Sequence, residues 1–415
     1  MTARTPHFGR PALPDRLLAY AVPLWAEAAA LARSVLLARL IGTEELGRTL
    51  LLVLTLRLAE MASDLGIERL LIQSPDGNSP AFLDALHGAA LLRGLAAALL
   101  LGLAALPMLW AFPDGAGVWA FAIIALVPLI RGLGHLDHRR AERGGTCHPM
   151  ALVEAGSTLA MLALVPPATA LLHDHRAIAV VLLGQALAHV ALSHGLARCP
   201  YAPRLDPTLL RQTVRFGLPL VANAGLMFVI LQADRLFVAR FYGWAEVAVY
   251  GVAIQLALLP AQIAGRAATS LLAPALVRAA SQGLLHQAVH RALRQHALLA
   301  LGLATGFATL APPVIAALYG PALAPDPWLA LALGLAAAAR LLRTPHSQLA
   351  VVTGRTGDPA RANLWRAAAV LLAGLAALAH WPLLTLALAA ALGEAAATLR
   401  AHLLLRRALR KGETS

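Results

Sequence analysis

Long apolar runs alternate with short polar breaks along the whole chain. Segments near 17–41, 48–72, 81–111, 115–138, 148–172, 176–198, 211–240, 245–275, 290–318, 326–351, 360–379 and 382–405 stand out. Each approaches or exceeds the roughly 20 apolar residues that a membrane-spanning helix needs. The last two are separated only by the tripeptide HWP. This pattern predicts an all-α polytopic membrane protein with about twelve spans. The first run is long enough to span and is followed at once by another, so it reads as an uncleaved helix rather than a signal peptide. No break is long enough to hold a soluble domain.

Basic residues fall in every second break. Arg4, Arg10 and Arg16 precede the first span, and Arg131, Arg139, Arg140 and Arg143 follow the fourth. Arg198, Arg204, Arg211 and Arg215 surround the central break, and Arg278, Arg291 and Arg294 follow the eighth span. Arg355 and Arg361 follow the tenth, and Arg406, Arg407, Arg410 and Lys411 close the chain. The alternate breaks, such as FPDGAG and YGPALAPDP, contain no Lys or Arg. The positive-inside rule then places both termini in the cytoplasm. SPDGNSP is the one cytoplasmic break without a basic excess.

The chain also repeats itself. ARLIGTEELG (38–47) and ARFYGWAEVA (239–248) share Ala, Arg, Gly and Glu in the same columns, and YAVPLW (20–25) resembles FGLPLV (216–221). Both matches sit at the starts of two six-span halves. Because each half has an even number of spans, the halves would be parallel repeats, related by a pseudo-twofold axis along the membrane normal. The three-proline stretch ARCPYAPRLDPT marks the joint. The expected division is an N-terminal lobe over 1–198, a cytoplasmic linker over 199–210, a C-terminal lobe over 211–405 and a cytoplasmic tail over 406–415.

Composition sharpens the class. The 415 residues are 59% hydrophobic and only 13% charged, too little charge to cover a soluble surface. Abundant Ala and Gly allow helices to approach closely in a bundle. The net charge of +13 is carried almost wholly by arginine, since Lys411 is the only lysine. It reads first as topology and then as affinity for an anionic ligand. Cys147 and Cys199 both fall on the cytoplasmic side with no pairing pattern, so a disulfide is not expected. There is no GxxxxGK[ST] phosphate loop, and HDH (173–175) lacks a third ligand for a metal and reads as a solvated turn. HLDHRR (135–140) reads as a topology signal. No cofactor and no nucleic-acid partner are expected.

The chemistry-bearing residues are charges inside the spans. Within RLAEMASDLGIER, residues Arg57, Glu60, Asp64 and Glu68 are spaced three, four and four apart, which puts them on one stripe of a helix. A charge at the bilayer centre costs roughly 3 kcal/mol or more, so this stripe should face the protein interior. Two readings stand: an internal ion pair joining Arg57 to Glu60, Asp64 or Glu27, or a site for a ligand. Gln255, Gln262 and Arg266 share a face, as do Gln185, His189 and Ser193, and Arg340, Arg343 and Ser347. Glu27, Arg33, Arg93, Asn223 and Asp234 are single polar residues in other spans. Arg33, Arg93, Arg266 and Arg340 have no acid at pairing distance on their own helix, so several could converge on a cationic cavity. Guanidinium groups suit phosphate oxygens because the planar fork donates two parallel hydrogen bonds and stays charged.

LLARLIGTEELGRTLLLVLTLRLAEMASDLGIERLLIQ (36–73) is similar to the opening of bacterial oligosaccharide and polysaccharide flippases of the O-antigen type, through ARxxGxEExG and DLGIxxxLIQ. FGLPLVANAGLMFVILQADRLFVARFYGWAEVAVYGVAIQL (216–256) resembles the opening of their second half, through GLP, DR and VAVYGVA. This family belongs to the multidrug/oligosaccharidyl-lipid/polysaccharide superfamily, alongside multidrug antiporters and lipid II flippases. The resemblance implies a two-lobe bundle around a central cavity in the bacterial inner membrane. It implies flipping of an undecaprenyl-diphosphate-linked oligosaccharide to the periplasmic leaflet by alternating access, without enzymatic activity. The substrate contacts expected on this reading are Arg33, Arg57, Arg93, Asn223, Gln262, Arg266 and Arg340. Glu27, Glu60, Asp64 and Asp234 are the candidates for coupling to a proton or sodium gradient. Expected partners are the lipid-linked glycan, membrane lipids and other polysaccharide-assembly proteins, with the chain itself a monomer. A multidrug antiporter remains the alternative, although inward arginines repel cationic drugs. A polytopic glycan polymerase or glycosyltransferase is the alternative from another class, and would place catalytic residues on a large loop.

Overall fold

The computed structural model describes residues 13–111, 117–355 and 357–410. Arg4, Arg10, Lys411 and most of the FPDGAG break lie outside them. Contacts group the chain into two compact units, Met1–Phe228 and Val229–Ser415. Among the described residues the regular structure is entirely helical.

In the first unit α1 (Leu13–Ile41), α2 (Thr43–Ser63), α3 (Ile67–Gln73), α4 (Pro80–Ala111), α5 (Val118–Gly132), α6 (Asp137–Arg143), α7 (His148–Leu172) and α8 (Arg176–Gly195) follow in order. The helix α9 (Pro207–Phe241) contains the division between units. The second unit continues with α10 (Trp244–Ala267), a π-helical turn at Ala268–Leu272, α11 (Ala273–Ser281), α12 (Leu285–Tyr319), α13 (Pro327–Val352), α14 (Gly357–Leu378) and α15 (Leu383–Arg410). Each of the twelve expected spans coincides with one helix or with one broken helix. Among the described residues nine helices are long and apolar enough to cross a membrane, and the pair α5–α6, bent by 52°, makes a tenth. The other two, α2 and α13, are the ones that carry Arg57 and Glu60, and Arg340 and Arg343.

The sequence repeat has a structural meaning. Gly42 ends α1 at φ 81° and Gly243 ends α9 at φ 100°, and each restarts a helix whose first bond returns to its carbonyl. These bonds are Leu46 N–H to Gly42 and Val247 N–H to Gly243, both 3.1 Å. A side chain at positive φ crowds the backbone, so glycine is the residue this joint needs.

The second expected span is not one helix, which corrects the single stripe read from RLAEMASDLGIER. α2 stops at Ser63, and Gly66 takes a left-handed φ of 66° before α3 begins. The Asp64 carboxylate accepts the Gly66 N–H at 3.0 Å and fixes the turn. A Cβ on Gly66 would come within 2.8 Å of Leu220, on α9. Glu68 therefore lies on a different helix from Arg57 and Glu60.

Arg143 explains how SPDGNSP manages without basic residues of its own. Its buried guanidinium, from α6, donates to the carbonyls of Ile72 at 2.7 Å and Pro75 at 3.3 Å, and also to Ser74. One cation from a later loop satisfies the orphan carbonyls at the end of α3.

Candidate functional site

A polar cavity of about 420 Å³ opens within the first unit. Its walls come from the end of α2, the 64–66 turn, α3, α4, α5, α6, α7 and α8. Four carboxylates line it, Glu60, Asp64, Glu68 and Glu154, together with Arg69, Arg93 and Arg131. His138, Ser157, Gln185 and His189 complete the polar lining.

The breaks in the helices are what bring these groups together. Glu60, on the last turn but one of α2, receives Arg131 Nη1 at 2.7 Å from the end of α5. Arg139, from α6, meets Glu68 at 3.0 Å, Glu154 at 2.9 Å and Glu142 at 3.4 Å. The bend between α5 and α6 thus delivers both arginines to carboxylates on three other helices. His138 donates through Nδ1 to the His135 carbonyl at 2.8 Å, which leaves Nε2 as an acceptor. That Nε2 is buried without a partner, on a side chain that lines the cavity.

Glu60, Asp64 and Arg93, expected from the sequence, line this cavity, and so do Gln185 and His189. Ser193 does not: it is fully buried and accepts the His135 N–H at 3.0 Å. Arg57 is exposed, and its expected partner Glu60 belongs instead to Arg131. The reason is geometric, since Arg131 approaches Glu60 from a neighbouring helix. Arg33 makes only a weak contact, Nη1 to the Met161 sulfur at 3.3 Å, and the positive charges of Arg57 and Arg131 act on it. Of these three arginines, Arg131 is the one paired with Glu60. Glu27 is half-buried on α1 and engaged in a contact of its own.

Asn223 is exposed on α9, and Gln262 and Arg266 lie on α10 outside the described cavities. Arg266 is exposed and already engaged. Arg340 and Asp234 line a smaller cavity, about 60 Å³, in the second unit. There Asp234 accepts the Tyr250 hydroxyl at 2.8 Å.

Several residues escaped the sequence reading of sites. Arg131 and Arg139 looked like topology signals, because they lie beside a basic break. Glu154 and Glu394 carried a usable signal: each is a lone acid in an apolar helix, where an ionisable group needs a reason. At the 173–175 turn, His175 Nδ1 lies 2.6 Å from Glu45 and Asp174 pairs with Arg176 at 2.7 Å. No cluster of three metal-ligating residues occurs among the described residues. Both cysteines are free, and burial pushes the Cys199 thiol pKa up, helped by the nearby Asp137 carboxylate.

Among solved structures the chain is similar to an inward-facing multidrug resistance MATE family transporter of the MOP superfamily. The identity is 15%, the match covers 95% of this chain and 98% of that one, and the TM-score is 0.70. It is similar to the lipid II flippase MurJ in an inward closed conformation at 15% identity, covering 94% and 87%, with a TM-score of 0.73. A eukaryotic MATE transporter, AtDTX14, aligns at 12% identity over 97% and 98% with a TM-score of 0.56. Identities this low establish the fold alone, a polytopic helical bundle. No curated protein sequence matches the chain. A family profile described as polysaccharide biosynthesis protein matches residues 36–325, which is most of the chain. The chain belongs to this polysaccharide biosynthesis protein family.

Proposed function

We propose that this protein flips a lipid-linked oligosaccharide, carried on undecaprenyl diphosphate, across the bacterial inner membrane during cell-surface polysaccharide biosynthesis. Movement runs from the cytoplasmic to the periplasmic leaflet by alternating access, with both chain termini in the cytoplasm. The observation that carries this reading is the grouping of arginines in the first unit: the charges of Arg57 and Arg131 act on Arg33, and of these three Arg131 alone makes an ion pair among the described residues, with Glu60. Arg93 lines the adjacent cavity, where its charge acts on Glu68. A diphosphate brings at least two negative charges and offers oxygens that suit guanidinium forks. The polar lining of Gln185, His189 and Ser157 suits the hydroxyl groups of a sugar. The family and the fold shared with a lipid II flippase support the same reading.

A multidrug antiporter of the same superfamily is the competing function. It needs an acid that exchanges an ion, and here Glu60 pairs with Arg131 and one oxygen of Asp64 accepts the Gly66 N–H. Deleting the gene separates the readings. A flippase leaves lipid-linked glycan trapped on the cytoplasmic side. Drug hypersensitivity without trapped glycan would overturn the proposal, and loss of glycan polymerisation with normal translocation would point to an enzyme.

A further inference from the structure

In the second unit three guanidiniums surround one carboxylate. Arg343 on α13 lies 3.1 Å from Glu394 on α15, and Arg366 on α14 lies 2.8 Å from the other oxygen of the same carboxylate. All three side chains are buried. Arg340, three residues before Arg343, makes no ion pair among the described residues, and its Nη1 is buried without a hydrogen-bond partner. Nη1 of Arg343 is likewise unpartnered. Arg340, Arg366 and Glu394 line the cavity of about 60 Å³. Asp234 also lines it, but that carboxylate accepts the Tyr250 hydroxyl and its own neighbour's N–H, and the charge of Arg235 acts on it.

Three positive charges against one available negative charge is an unstable arrangement within a transmembrane bundle. Charges at this depth persist when they are paired or when they serve a ligand. A cavity needs only roughly 10–15 Å³ to hold one water, so this one admits a group of several heavy atoms. The unpartnered donors are forked and planar, which matches tetrahedral oxygens better than a single-point anion. We propose that Arg340 and Arg366, with Arg343 paired to the same Glu394, form a binding subsite for one phosphate-class oxyanion. Glu394 is its resident counter-charge, holding the two deeper arginines while Arg340 stays open to the ligand. The group comes from free phosphate or from the diphosphate of an isoprenoid lipid. The subsite lies in a different unit from the arginines that carry the transport reading, and it stands on its own geometry: phosphate can bind here even if no glycan moves.

The test uses the full-length protein in detergent, with inorganic phosphate added at constant ionic strength and binding read by equilibrium dialysis and by thermal protection. Arg340→Gln, which breaks no ion pair, should weaken phosphate binding about tenfold, the worth of one charge-assisted hydrogen bond. Arg340→Lys should recover part of it, and Arg176→Gln, beside the exposed 173–175 turn of the first unit, should leave this binding in place. Farnesyl diphosphate then identifies the source: binding tighter than inorganic diphosphate, and dependent on Arg340, points to the lipid, whereas equal binding points to the free anion. Wild-type phosphate affinity in Arg340→Gln overturns the proposal, as does equal protection by chloride.

Discussion

Glu60 meets Arg131 at 2.7 Å with the two side chains 28% and 32% exposed, whereas Glu394 meets Arg366 at 2.8 Å with exposures of 9% and 6%. The contact distances are nearly equal and the surroundings are not. A half-exposed pair keeps water available to both charges, so breaking it costs little and the arginine can be released to another anion. A buried pair that loses one partner strands the other charge, and here two guanidiniums depend on the same carboxylate. The first unit therefore holds Arg131 loosely at a 420 Å³ cavity, and the second locks two of its three arginines beside a 60 Å³ one. Similar ingredients give an exchangeable site in one unit and a fixed frame with a single open arginine in the other.

The comparison breaks most directly at the two glutamates. Glu394→Ala should destabilise the fold by about 3–5 kcal/mol, the cost of uncompensated buried charge. The expected readout is a large drop in folded protein recovered from the membrane and in melting temperature. Replacing Gly66 by alanine should cost about 1–2 kcal/mol, because the left-handed turn crowds a Cβ and Leu220 lies in its path. It should also misplace α3, so that glycan export per folded molecule falls along with abundance. Glu60→Ala should change melting by about 1 kcal/mol or less, as expected for a partly solvated pair. If Glu60→Ala unfolds the protein as severely as Glu394→Ala, the contrast between the units fails.

Much of the fold was legible because lipid imposes a simple rule on sequence. Spans must be long and apolar, loops carry arginine on one side, and the helix positions follow from those facts. The glycine joints at Gly42 and Gly243 were visible as a repeated motif, and the structure supplies their reason in positive φ. The break at 64–66 was harder to see: MASD and LGIER continue an apolar helix in composition, and only the Asp64 side chain and the freedom of Gly66 end it. The site was half legible. A charge inside an apolar run is conspicuous, so Glu60, Asp64 and Arg93 stood out, and they line the cavity. Its partner is not conspicuous when it sits beside a basic loop, which is why Arg131 and Arg139 read as topology. The pairing of Arg57 with its own helix failed because Arg131 reaches Glu60 from across the bundle.

The central claim is that the loosely held arginines of the first unit bind the substrate rather than the fold. The most direct measurement is glycan export normalised to membrane abundance in cells that carry Arg33→Ala or Arg57→Ala as the only copy, with the lysine variants beside them. The account predicts near-normal abundance, export per molecule reduced about tenfold or more, and partial recovery with lysine, which keeps the charge but lacks the fork. Unchanged normalised export in both alanine variants, or a fall in abundance that accounts for the whole loss, would contradict it.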